Sequence, residues 1–439
     1  MRIGSLCIRH VASSSVPLLT MQDLPLAFLS LPAEGDNTAR ALRKKVRLVA
    51  LRELLTVSAS ALGPRANGAM IKIQAVLQRV ARSNSAGLLG VVGLVDIQPQ
   101  LLVLASGLRT PAQVLPRLVP TLLSALRHIR ADLDEALVWE HPFDSMSVDG
   151  VGEVHFLSGA KALLVDAGGV AVELSTGDRI SLTPFGACVH DVVRVSNPPS
   201  VLRGAQLGLE LSTNDTNPLA MDEAHPDKDG NNTSLGGKST DEWTTAIDDA
   251  LGLVQLALPA WYGELTHTTD RIVPVGFEPE MHLSASYREA PGLVYMTLHP
   301  DPLTMAEALI HETQHGKLNL LSWLDPVLNN AYSSWTESPV RPDLRPIMGV
   351  LLAVHAFVPV SALHHRLLAM EHPISRTPHF EKRRQQVLSG NAGGLKLVES
   401  VGEPTALGAR VVGGLRALHD AIAADADATS WAVDAMPPG

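Results

Sequence analysis

"PLTMAEALIHETQHGKLNLLSWL" spans residues 302–324, and its reading decides what the C-terminal half of the chain must be. Pro302 near its start, with Ala, Leu, Met and Glu through its body, favours a helix. On a helix, positions i and i+4 lie one turn apart on one face. His311 and His315 can then offer their imidazoles to one cation, and Glu312 beside the first can reach a metal-bound water. Two histidines can also be satisfied residues of a buried helix. An otherwise apolar helix face gives two imidazoles no partner, however, and a metal supplies one.

Two histidines leave the site unfinished. The extended pattern HExxHxxGxxH fails, because Leu318 stands in the place of its Gly and Leu321 in the place of its His. Glu337 sits in "SSWTESPVRPD", which reads as loop and suits a helix-borne third ligand poorly. His355 fits better. It lies in "RPIMGVLLAVHAFVPVSALHHRL" (345–367), which has Pro346 near its start and a long apolar body. A lone His in such a helix is ordinarily a satisfied core residue. Beside an incomplete two-histidine site it becomes the expected third ligand, with His364 and His365 as further candidates two to three turns on. Three imidazoles leave coordination positions open, either for a zinc-bound water or for iron with O2 and a bidentate co-substrate. Imidazole suits both metals, so ligand type does not choose between them.

Upstream, the texture changes twice. Residues 38–82 read as helix, with Leu42, Val46, Val49, Leu54 and Leu55 near the 3.6 period. "AGLLGVVGLV" (86–95) is too short to span a bilayer and reads as a buried helix or strand. Residues 110–139 read as another helix, with Thr110 as N-cap, Pro111 at N1, and Pro116 and Pro120 as breaks in its first part. Beyond 141, Val-rich alternation with the turns "DAGG" and "STGD" is the grammar of strands and hairpins. "AQLGLELS" (205–212) adds a strand. An Asn-, Asp-, Gly- and Pro-rich loop follows, and its "DKDGNN" lacks the downstream Glu of a calcium loop. A helix resumes over 243–258 and a strand is expected at 293–298. The fold class is therefore α+β, mainly α-helical, with the HExxH helix in a C-terminal helical domain and a β-rich middle segment. The divisions are 1–140 (mostly helical), 141–215 (β-rich) and 216–439 (metal-binding and catalytic).

The 439 residues, 46% apolar and 18% charged, suit a globular protein with a sizeable core. The net charge of −10, with no basic block longer than "RKK" at 43–45, excludes the electrostatic footprint of nucleic-acid binding. No membrane span is expected. Cys7 and Cys188 make neither a disulfide framework nor a CxxC site, so a reducing cytoplasm is the expected compartment. Residues 1–20 lack the long apolar core of a signal peptide.

"TNPLAMDEAHPDKDG" (216–230), the stretch from "VPVGFEPEMHLSASYREAPGLVYMTLHP" (273–300) through "HETQHGKLNLL" (311–321), and "PVRPDLRPIMGVLLAVHAFVPV" (339–360) carry a resemblance. Together they resemble the HExxH-motif proteins of peptide natural-product clusters, described as α-ketoglutarate-dependent HExxH-type peptide β-hydroxylases. The likeness covers about residues 210–400; the helical N-terminal part matches in texture only. The β-rich 150–205 region departs from it, and residues 1–20 have no counterpart. The resemblance implies a non-haem Fe(II) oxygenase that uses α-ketoglutarate and O2 to hydroxylate the β-carbon of a residue in a ribosomally made precursor peptide. Iron would sit on His311, His315 and His355, and Glu312 would orient a ligand or balance charge. The distal carboxylate of α-ketoglutarate calls for a bidentate cation. Arg288, Arg341 and Arg345 lie close in sequence to the ligand-bearing segments, although each can equally be a structural ion-pair arginine. Tyr287 and Ser284 could donate hydrogen bonds to co-substrate or peptide, and strand 293–298 could take a peptide by edge addition. Two other classes stay open: a zinc metallopeptidase with Glu312 as general base, and a non-catalytic peptide-binding module.

Overall fold

Gly63 and Pro64 split the long helical pattern of residues 38–82 in two. The structure, a computed structural model, has one helix at α1 (Thr38–Thr56) and a second at α2 (Pro64–Ser83). Gly63 takes φ +97°, a conformation that favours glycine, and Pro64 starts the next helix where no N–H is needed. Apolar periodicity continues across this break, so periodicity alone cannot see it. The inward face of α2 is Ala66, Met70, Ile73, Leu77 and Val80, spaced three and four apart. The apolar run at 86–95 is helical, at α3 (Ser85–Val92), with Leu88, Leu89, Val91 and Val92 buried.

After α4 (Gln98–Ala105), α5 (Pro111–His128) starts where expected: the Gln113 side chain accepts from the Thr110 N–H at 2.9 Å. Pro116 and Pro120 lie within α5 without ending it. The helix stops well short of 139. Leu137–Trp139 is instead the strand β1, buried at both ends and exposed between.

The structure describes residues 24–25, 29–32, 35–129, 136–148, 152–166, 168–182, 193–195, 200–201, 208–222, 224–225, 228–337 and 344–424. The chain divides into two units. One comprises 1–17, 44–200 and 212–233, and the other 18–43, 201–211 and 234–439. Both cysteines and residues 1–20 fall outside the described residues.

In the first unit, β1 joins β2 (Phe143–Val148), β3 (Gly152–Asp166), β4 (Gly169–Leu174), β5 (Arg179–Leu182) and β6 (Val193–Val195) in one sheet. β3 is its spine and pairs antiparallel with β1, β2, β4 and β6. "DAGG" forms the β3–β4 turn, where the Asp166 carboxylate accepts from the Gly168 and Gly169 N–H groups (2.8 and 3.0 Å). "STGD" forms the β4–β5 turn. Alternate residues Val154 and Phe156, then Leu163 and Val165, are buried, as a half-covered sheet requires. α5 covers β2, and Thr121 accepts from the Ser147 N–H at 3.1 Å. A short pair, β9 (Ala224–His225) with β10 (Lys228–Asp229), closes the loop that invited a calcium reading.

The second unit holds a further sheet. Its strands are β7 (Ser200–Val201), β8 (Glu210–Leu211), β11 (Thr269–Phe277), β12 (Ser284–Ala285) and β13 (Gly292–Leu298), in the order β12-β13-β11-β8-β7. β13 runs parallel to β11, which runs parallel to β8. All seven residues of β13 are buried. It pairs with β11 on one side, and β12 covers Tyr295 and Met296 on the other. Edge addition of a peptide to 293–298 is therefore not available along that stretch.

The helices of this unit are α6 (Thr240–Ala257), α7 (Pro259–Thr268), α8 (Pro302–Ser322), α9 (Ile347–Ala369), α10 (Pro378–Val401) and α11 (Ala406–Ala423). A hairpin of β14 (Trp335–Glu337) and β15 (Leu344–Pro346) precedes α9, so Glu337 lies on a short, exposed strand. α8 packs against α6 and α9, and α9 against α10 and α11. α9 is long and apolar enough to cross a membrane, yet 83% of its most apolar window is buried inside the protein. The architecture is α+β and mainly helical, as expected.

Candidate metal centre

α8 follows directly from β13, and its start is well fixed. Asp301 caps it, its carboxylate accepting from the Leu303 and Thr304 N–H groups (both 3.2 Å), and Pro302 occupies the first turn. Capping at 301 fixes where the helix begins, and the i, i+4 spacing puts residues 311 and 315 on one face. The two imidazoles stand with ring centroids 4.2 Å apart at 77°. Each of His311, Glu312 and His315 places a donor atom within 4.8 Å of the others. Among the described residues this is the only such group of His, Cys, Asp and Glu. The Glu312 Oε1 lies 3.9 Å from the His311 Nε2, and the Glu312 side chain is buried.

Electrostatics suit a cation. Burial pushes the His315 pKa down to about 4, and the Arg345 charge adds to that. Burial also holds His311 well below the usual histidine value, with further lowering from His315, His282, Arg383 and Arg345. Both rings are therefore neutral at pH 7 and keep a lone pair for a metal. The buried Nδ1 of His315 has no hydrogen-bond partner. The donor set fits a borderline divalent ion that takes imidazole.

His355 is not part of this three-residue group. It lies on α9, fully buried, and neither ring nitrogen makes a hydrogen bond. Burial lowers its pKa well below the ordinary value, followed by the charges of Lys317 and His315. The Gln314 backbone offsets part of this without reaching hydrogen-bond geometry with either nitrogen. His355 is thus an orphaned neutral imidazole near His315. His364, a further candidate from sequence, is committed elsewhere: its Nε2 meets the Glu307 Oε1 at 2.8 Å.

The co-substrate candidates separate. Arg288 pairs with Glu289 (2.8 Å) and lies over the Trp323 ring at 4.8 Å. It lines a cleft of about 560 Å³ with Trp323, Asp325 and Tyr332, and it is not among the charges that shift the imidazole pair. Arg345, on β15, acts on both His311 and His315. Arg341 lies outside the described residues. Tyr287 packs edge-on against Tyr295 (5.6 Å, 83°), and Ser284 sits in β12 opposite Met296.

The structure adds residues that the sequence reading missed. Phe357 meets the His311 ring at 4.7 Å and 63°. Arg383 and His282 both act on His311. Arg383 comes from "FEKRRQQ" on α10, which looks like an ordinary solvated helix face. Only packing brings it to the site. Phe357 had one faint signal, its place two residues after His355 in "VHAF". No protein-family model matches the chain and no curated protein is significantly similar to it.

Proposed function

We propose that the chain is an Fe(II)- and α-ketoglutarate-dependent oxygenase that hydroxylates the β-carbon of a residue in a ribosomally made peptide. The observation that carries this is the pair of neutral imidazoles on one face of α8, with an orphaned third imidazole, His355, near His315. Iron with α-ketoglutarate supplies the oxidising power to place one oxygen atom of O2 in a C–H bond, the co-substrate leaving as succinate and CO2. The chain's part is to bind and orient. His311 and His315 give lone pairs, and His355 is assigned as the third donor. Arg345 is the arginine best placed to meet a co-substrate carboxylate, because its charge already reaches both imidazoles. Glu312, buried beside His311, offsets the positive charge of the centre. A cleft of about 840 Å³ bordered by Phe357, Arg383 and Asn391 offers room for a peptide, and Phe357 also packs against the His311 ring.

The same Glu312 favours a second reading. Its carboxylate stands 3.9 Å from the His311 Nε2, beside the place where the general base of a zinc metallopeptidase would act on a bound water.

One experiment separates the two. The protein is loaded with Fe(II) without air, then given α-ketoglutarate, O2 and a small precursor peptide. Succinate and a peptide heavier by one oxygen atom support the oxygenase, and His311→Ala should abolish both. A cleaved peptide, formed with Zn(II) and without O2, establishes the peptidase instead.

A further inference from the structure

Metal-bound histidines are ordinarily held by a hydrogen bond from their second ring nitrogen to a carboxylate or carbonyl, which sets the ring's orientation. Among the described residues no hydrogen bond holds the His311 ring. Imidazole rotation about its last bond is broad and roughly two-fold, so an unheld ring can turn the wrong nitrogen to the metal. Something else must fix it.

The Phe357 ring packs against His311 edge-to-face, at 4.7 Å and 63°. Phe357 is in turn covered by Arg383, whose guanidinium carbon lies 5.6 Å from the ring centroid, within cation–π range. Arg383 is anchored in its turn. Its Nε and Nη2 both donate to the Glu307 Oε2 (2.8 and 2.6 Å). The other oxygen of Glu307 is taken by His364 on α9. Glu307 lies one turn before His311 on α8. A closed chain of contacts, Glu307 to Arg383 to Phe357 to His311, thus ties α8, α9 and α10 together and ends on a metal-ligand ring.

We infer that Arg383 and Phe357 are positioning residues: Arg383, anchored on Glu307, clamps the Phe357 ring against the His311 imidazole and holds it in the orientation that binds metal. The inference rests on reading His311 and His315 as ligands, and not on which metal or reaction they serve. In this role Arg383 and Phe357 act through the His311 ring and not on the metal itself.

Co(II) is the probe, titrated into the metal-free full chain and followed by its visible absorption, which reports ligand geometry. Circular dichroism and thermal melts check folding. Phe357→Leu keeps an apolar side chain and removes the ring face. It should weaken Co(II) binding about tenfold to a hundredfold, in line with loss of other supports around metal ligands, and alter the visible spectrum. Phe357→Tyr keeps the ring and should retain both affinity and spectrum. Arg383→Lys keeps charge but loses the planar fork, and should change the spectrum in the same sense as Phe357→Leu. A folded Phe357→Leu protein with the affinity and spectrum of the unaltered chain overturns the clamp while leaving the metal centre intact. An unaltered chain that takes up no Co(II) overturns the metal centre, and the clamp with it.

Discussion

Lowering the pH should unfold the metal-free protein far sooner than its carboxylates would require. In the folded chain the His315 pKa is pushed down to about 4, against an ordinary value of 6.5. Between those values the unfolded chain holds a proton at this position and the folded chain does not, so stability falls as pH falls. The loss starts near pH 6.5 and is complete once the pH drops below the folded pKa. At about 1.4 kcal/mol per pH unit and proton, moving from pH 7 to pH 5 costs about 2 kcal/mol through His315 alone. His311 and His355 are also held well below the ordinary value by burial, so each adds a loss of the same sign. The assay is urea unfolding at pH 7, 6 and 5 with chelator present, for the unaltered chain and for His315→Leu. Leucine keeps the site apolar and removes the titration. The readout is the difference in pH dependence, not the absolute stability, so losses common to both proteins cancel, including those from His267 and His419. The variant should lose about 2 kcal/mol less over this range. Parallel pH dependences would refute the claim that a neutral His315 is imposed by burial.

Breaking the buried pair between Lys317 and Glu264 (3.1 Å, both fully buried) should be costly. Lys317→Met leaves Glu264 uncompensated and should cost about 3–5 kcal/mol in urea unfolding, while adding Glu264→Leu recovers most of it; equal stabilities of single and double variants would contradict this. Glu307→Gln removes the carboxylate that Arg383 and His364 share and should destabilise by about 2–3 kcal/mol at pH 7. Burial alone would raise the Glu307 pKa, but His364 and Arg383 outweigh it and hold it below the usual value. Its stabilising share is therefore present above the ordinary carboxylate pKa and lost as pH falls through the depressed one, so the cost of Glu307→Gln should shrink below about pH 4. At Gly236 the backbone has φ +64° and a Cβ would meet the backbone of Gly276 and Phe277, so Gly236→Ala should lower stability by more than about 1 kcal/mol.

Much of the second unit was legible because its signals are local. Asp301 and Pro302 mark the start of α8, and the i, i+4 spacing of His311 and His315 needs only a helix to bring the rings together. The same holds for the Thr110 cap of α5 and the hairpins at "DAGG" and "STGD". Helix breaks were not legible, because apolar periodicity runs through them and a proline can either start a helix or sit inside one. The stretch 38–82 reads as one helix, yet α1 ends at Thr56 and α2 starts at Pro64, whereas Pro116 and Pro120, read as breaks, sit inside α5, and Pro359 sits inside α9. Glu337 reads as loop but lies on the short strand β14, and it is not one of the three grouped donors. The supports of His311 were invisible because Arg383, Glu307 and Phe357 come from three helices that meet only in the folded chain. Arg288 shows the converse: it is near the motif in sequence, but Glu289 and Trp323 take up its charge and its face.

α8 carries more buried polar groups than packing stability requires. A helix enclosed by α6, α9 and β13 could be apolar all round. This one buries Glu307, Glu312, Thr313, Gln314 and Lys317 as well as carrying the two histidines. Where partners are seen, they come from separate elements: α9 and α10 for Glu307, α7 for Lys317, β11 for Thr313 and the Ser30 carbonyl for Gln314. Replacing such pairs by packed apolar groups is often neutral or stabilising, so stability alone does not account for them. Their common effect is to fix the rotation and depth of one helix from several sides. A two-histidine face needs that rigidity, because a metal tolerates little displacement of its ligands. The orphaned imidazole of His355 belongs to the same pattern, since a buried ring with two unused nitrogens costs stability unless a ligand uses one of them.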